Sequence, residues 1–132
     1  MANECTAKAT FVTFEAGEAL TAKYLVIVDP SADRQVIHPT ADNMFCIGIN
    51  QDAKSSGESA NIGLLTGGGT FTGIASGSIT RGDKLICANG GKVKSDPATS
   101  STTSNIIGIA LESASDTEEI LFIPLCYSVY NS

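Results

Sequence analysis

Slid against itself by 60 positions, this sequence meets itself again. Thr10-Phe11 falls on Thr70-Phe71, Gly17 on Gly77 and Leu25 on Leu85. The same offset places Ile47-Gly48-Ile49 on Ile107-Gly108-Ile109, Ser55 on Ser115, Glu58 on Glu118 and Leu65 on Leu125. Residues 9–66 thus read as one copy and 69–126 as a second. Each copy runs strand, Gly-marked turn, strand, loop, an Ile-Gly-Ile strand, a polar loop ending in Glu, and a closing apolar strand. A period of this length exceeds the roughly 20–50 residues of solenoid units. Two copies instead predict one domain, residues 1–132, built from two similar β-halves that cover each other's apolar faces.

Apolar runs and alternation predict strands near 10–14, 24–28, 35–37, 45–50, 61–65, 69–74, 84–87, 92–94, 106–112, 119–125 and 127–130. Turn residues separate them: Asp29-Pro30-Ser31, Gly67-Gly68-Gly69, and Asn89-Gly90-Gly91, which reads as a tight hairpin with residues at positive φ. Helical periodicity is not sustained anywhere. Single helical turns are the most that 98–104 and 39–43 allow, and Asp96 through Asn105, six of its ten residues Ser or Thr, reads as a loop. Short strands joined by closely spaced polar turns predict an all-β fold, a compact barrel or sandwich with little or no helix.

The charge pattern narrows the function. A net charge of −6, with eight Lys and Arg residues scattered singly, argues against a nucleic-acid partner. No apolar run reaches the length of a membrane-spanning helix, and Met1–Cys5 lacks the regions of a signal peptide, so folding in a cytoplasm is expected. Cys5, Cys46, Cys87 and Cys126 are too widely spaced for a zinc site. Three of them lie in apolar runs and read as free, buried thiols; a disulfide is the alternative, with no connectivity implied.

No catalytic set emerges. His38, the only histidine, precedes a proline in a loop and carries no Cys–His signature. The Gly63–Thr70 stretch lacks the lysine and following helix of a phosphate-binding loop and reads as a linker. Arg81-Gly82-Asp83 is the tripeptide read by adhesion receptors, but it sits where a turn enters a strand. Asp52, Glu58, Asp116, Glu118 and Glu119 read as solvated loop charge without the alternation of a calcium loop. No enzyme activity, cofactor or metal is expected.

The phrase Ile79-Thr80-Arg81-Gly82-Asp83-Lys84-Leu85-Ile86, the hairpin Asn89-Gly90-Gly91-Lys92-Val93, and Ile106-Ile107-Gly108-Ile109-Ala110-Leu111-Glu112-Ser113-Ala114 occur in that order. This order resembles a family of small tailed-bacteriophage proteins, the capsid decoration or cement proteins. The first half is similar more loosely: Phe45-Cys46-Ile47-Gly48-Ile49 keeps the glycine, with Asn50-Gln51-Asp52 where small residues and Glu would stand. The resemblance implies a virion protein that binds the major capsid protein on the outside of an assembled head, often as a trimer, and stiffens it. Some relatives carry a recombinase label, which a chain without a nucleotide loop or basic face does not support. Met1–Lys8 and Tyr127–Ser132, outside the repeat, are the natural arms. Tyr127, Val129 and Tyr130 are the candidate interface residues, read as an apolar stripe on a strand without a partner in the repeat. A carbohydrate- or receptor-binding β-module is the alternative, weakened by the absence of Trp.

Overall fold

The computed structural model describes residues 10–132 and contains no helix among them. The first half comprises β1 (Phe11–Ala16), β2 (Leu25–Val28), β3 (Gln35–Ile37), β4 (Gly48–Asn50) and β5 (Ser59–Leu64). They close into a barrel in the order β1-β3-β2-β4-β5, with β1 and β3 parallel and the other pairs antiparallel. The second half comprises β6 (Phe71–Ile74), β7 (Lys84–Cys87), β8 (Val93–Ser95), β9 (Thr102–Ala110) and β10 (Glu119–Asn131). Its sheet order, β6-β10-β9-β7-β8, is the same circuit read from another starting point. A single parallel bridge between Ala75 and Val93, with the Ser76 N–H donating to the Val93 carbonyl at 2.7 Å, stands where β1 pairs with β3. The halves therefore share one strand order, as the duplication predicts.

The pairing registers correct the alignment. Glu15 pairs with Ser59 where Ile74 pairs with Glu119, and Val26 pairs with Gly48 where Leu85 pairs with Gly108. β4 and β5 thus match β9 and β10 at offset 60, but β1 and β2 match β6 and β7 at offset 59. The bridge Leu20–Lys54 against Ile79–Ala114 tells the same story. Between them, the β2–β3 connection is two residues longer in the first half and the β3–β4 connection three residues longer in the second. Six of the ten identities, from Ile47 to Leu65, are true equivalents; the four before them are one residue out of register.

Alternation explains the core. On β2, Val26 points into the first barrel with Ala16, Leu20, Val36, Ala60 and Ile62, while Leu25 and Ile27 point out toward the second half. The equivalents of the interior set are Ala75, Ile79, Leu85, Val93, Ile120 and Phe122, all buried. Volumes are exchanged within this frame. Phe14 is replaced by Gly73 and Ile62 by Phe122, and a Cβ on Gly73 would stand 3.3 Å from the Phe122 ring. The ring fills the space that Phe14 occupies in the other barrel. Burying each such large side chain stabilises by about 1.5–3 kcal/mol.

Among the described residues ten strands stand where eleven were expected, because the last two are one. β10 runs through Cys126, with a register shift between Pro124 and Tyr127. β9 begins at Thr102, inside the Ser/Thr stretch read as loop or helical turn. β-branched Thr102 and Thr103 pair with Asn131 and Tyr130, and a long strand partner overrides the turn tendency of the composition. Residues 39–43 are also not helical. The region 45–50 contributes only Gly48–Asn50 as strand.

Candidate docking surface

The second half carries something the first lacks. β9 starts six residues before the position matching the start of β4, and β10 runs seven residues past the position matching the end of β5. The excess forms a two-stranded ribbon, Thr102–Ile106 against Tyr127–Asn131. One ribbon edge is closed by a side chain: the Asn43 amide donates to the Thr103 carbonyl at 2.7 Å and accepts from the Asn105 N–H at 2.8 Å. Asn43 does this from the left-handed region, at φ 62°. It thereby occupies the place of a neighbouring strand, which protects the edge from adventitious pairing.

The candidate interface residues lie on this ribbon. Tyr130 is 63% exposed, Tyr127 is exposed and Val129 half-buried. The structure alters two points of the expectation. The strand that bears them is paired, with β9, so it is not without a partner. Strand alternation puts Tyr127 and Val129 on one face and Tyr130 on the other, so the three do not form one stripe. Met1–Lys8, the other expected arm, lies outside the described residues. Further exposed apolar residues accompany them: Phe45, Leu111, Ile123 and Leu125 near the second half, and Phe11, Val12 and Val28 on the first.

The segment from His38 to Cys46 straps the first half onto the second. Asp42 accepts from the Asn89 N–H at 2.7 Å and pairs with Lys94 at 3.0 Å. These donors hold the Asp42 carboxyl below its usual range. The Asn43 N–H donates to the Cys87 carbonyl, and the Met44 N–H reaches the Cys87 sulfur at 3.1 Å. Lys23 and Glu119 form a second ion pair across the halves. Ion pairs this exposed add little. The backbone hydrogen bonds of the strap carry more, because they are directional and partly buried.

Most of the groups weighed for chemistry are engaged structurally among the described residues. His38 accepts from the Thr21 N–H at Nε2 and donates from Nδ1 to the Leu25 carbonyl at 2.8 Å, so both ring nitrogens are in use. Cys46 and Cys87 are buried and Cys126 partly so; all three are free, and Cys5 lies outside the described residues. A hydrogen bond to Cys87 and burial push the Cys46 thiol up, and burial alone does the same for Cys126. Glu58 and Glu118, expected as loose loop charge, close equivalent turns by accepting from the Ser55 and Ser115 N–H groups at 2.6 and 2.7 Å. Asp83 of the Arg81-Gly82-Asp83 turn accepts from the Thr80 N–H and the Ser95 hydroxyl, so it is folded back rather than displayed. Among the described residues no group of three His, Cys, Asp or Glu could hold a metal ion, and no helix is long and apolar enough to cross a membrane.

The chain's similarities fit this picture. It matches the crystal structure of the N base of the head fibre gp8.5 of bacteriophage phi29 with a TM-score of 0.69. The match covers 89% of this chain and 95% of that one at 19% identity, a likeness of fold. No curated protein matches the chain. A family model described as phage cement protein matches residues 5–125. With most of its length so matched, the chain belongs to the phage cement protein family.

Proposed function

We propose that this protein binds the outer surface of a phage head through the major capsid protein and stabilises the shell, acting as one structural domain and as a homotrimer. Its role is mechanical, without a catalytic step, and it folds in the host cytoplasm before joining the virion. The observation that carries the reading is the β9–β10 ribbon. It is the part of the second half that exceeds the duplicated fold, and it displays Tyr127 and Tyr130 to solvent.

The remainder of the chain suits a rigid seat. The strap ties the two halves together, and the ribbon edge beside Asn43 is closed. Seating several copies on a lattice converts modest single contacts into lasting attachment. Each tyrosine ring, if fully covered on docking, contributes about 1.5–3 kcal/mol. The test is co-sedimentation of purified protein with undecorated heads. The intact protein is expected to pellet with heads. A form ending at Cys126, and a Tyr127→Ser/Tyr130→Ser double variant with an unchanged unfolding midpoint, are expected not to. Retention of the double variant at wild-type occupancy would refute the assignment of the ribbon, and failure of the intact protein to pellet would refute capsid binding.

A further inference from the structure

The packing that joins the two halves leaves both of its surfaces available a second time. In the first half, the outward residues of β2, β4 and the end of β5 are Leu25, Ile49 and Leu65, each at most 1% exposed. They are covered because the end of the second half sits on them. The Leu25 N–H donates to the Gly91 carbonyl in the β7–β8 hairpin at 2.7 Å. The Phe71 ring, at the start of β6, lies so close over Gly63 that any side chain there would collide with it.

The registers identify the matching residues in the second half. Leu25, Ile49, Gly63 and Leu65 correspond to Lys84, Ile109, Ile123 and Leu125. Among the described residues this face is more open than its counterpart: Ile123 is 41% exposed, Leu125 and Lys84 are exposed, and Ile109 is half-buried. The covering surface is repeated as well. The start of β6 corresponds to Val12 beside Phe11, and the β7–β8 hairpin to the β2–β3 turn that follows Val28. Phe11 is 48% exposed and Val28 55%.

We infer that copies of this chain associate head to tail, the Phe11–Val12–Val28 end of one copy seating on the Ile109–Ile123–Leu125 face of the next. The interface uses the surfaces that match those joining the halves within one copy, with the smaller Val12 where Phe71 stands and Ile123 where Gly63 stands. It is heterologous, two different surfaces meeting, so it generates a ring when the rotation closes and a filament when it does not. A closed ring of three deepens the trimer reading above by naming the surfaces that form it. It does not depend on capsid binding, which the co-sedimentation test judges separately.

A heterologous contact has a signature that mixing reveals. Ile123→Lys disables the face and Val28→Lys disables the end; both positions are substantially exposed, so each variant is expected to keep the wild-type unfolding midpoint. Mass measured by light scattering after size-exclusion chromatography is expected to show an oligomer for the wild-type chain and monomers for each variant. Association should weaken by about tenfold or more, the scale of losing one interface anchor. Mixed in equal amounts, the two variants retain one intact pair of surfaces and are expected to form a 1:1 dimer that grows no further. A monomeric wild-type chain, variants that assemble like wild type, or a mixture that stays monomeric would each overturn the inference.

Discussion

Gly108 tests the packing at its tightest point. It sits in β9 opposite Pro124, and a Cβ built on it would stand 2.6 Å from the Phe122 ring and nearer still to the Ile123 carbonyl oxygen. Gly48, its equivalent, meets Ile62 and the Gly63 carbonyl oxygen at 2.5 Å in the same way. In both places one obstacle is backbone held in an antiparallel ladder, which cannot yield without disturbing ladder hydrogen bonds. Overpacking of this kind costs about 1–3 kcal/mol, against a gain of roughly 0.5–1 kcal/mol when Gly in a strand becomes Ala. Gly108→Ala is therefore expected to destabilise by about 1–2 kcal/mol and Gly108→Val by about 3 kcal/mol.

With a urea m-value on the order of 2 kcal/mol/M, the valine variant should lower the unfolding midpoint by about 1.5 M. Gly73→Ala is the control. Its Cβ would meet the Val93 side chain at 3.1 Å and the Phe122 ring at 3.3 Å, both movable, at a position where the first barrel holds Phe14. That change is expected to be nearly neutral. If Gly108→Val leaves the midpoint within measurement error, or Gly73→Ala costs as much as Gly108→Ala, the close-approach argument is wrong.

Two further outcomes follow from the seam. The Asp42 carboxyl is held below its ordinary value of 3.8 by the Asn89 N–H and Lys94. Its contribution to stability is thus present above the ordinary carboxylate range and is lost as pH falls through its lowered pKa. The midpoint difference between wild type and Asp42→Asn should accordingly shrink between pH 5 and pH 2; a difference constant over that window would remove Asp42 from the strap. Alkylation of the native protein without reductant should label Cys126 before Cys46 and Cys87, and all thiols should react in denaturant; peptides joined by a disulfide would contradict the free state.

The legibility of this fold varies along the chain for definite reasons. From Ile47 to Leu65 the two copies are equal in length, so identity and structural equivalence coincide and the repeat was readable directly. The turn-closing roles of Glu58 and Glu118 were not, since a solvated carboxylate and one that accepts from Ser55 or Ser115 look alike in sequence. Before Ile47 the two connections differ in length by amounts that nearly cancel, and an ungapped offset conceals a one-residue slip. That slip inverts every face of a strand. Under the wrong register, buried Phe71 aligns with exposed Phe11; under the right one it aligns with Val12. The ribbon tyrosines were visible as apolar residues beyond the repeat. Ile123 and Leu125 were not singled out, since what exposes them is the absence of a neighbour that their counterparts Gly63 and Leu65 possess. No single copy of the repeat contains that information.

The same asymmetry bears on how copies of the molecule could meet. Repeat folds that stack end on face normally cap the terminal units with polar residues, because an uncapped face continues the stack. Here the terminal face has acquired one charge, Lys84 in place of Leu25, while Ile109, Ile123 and Leu125 remain apolar. The opposite end keeps Phe11, Val12 and Val28 exposed. A chain selected to remain a monomer would be expected to place charge at several of these positions, as edge and patch protection elsewhere does. Lys84 alone leaves most of the apolar face intact, and Asn43 shows that this fold closes an edge where closure is needed. Among the described residues both surfaces stay open, as the head-to-tail association proposed above requires, and the ribbon stays open for the proposed docking on the shell.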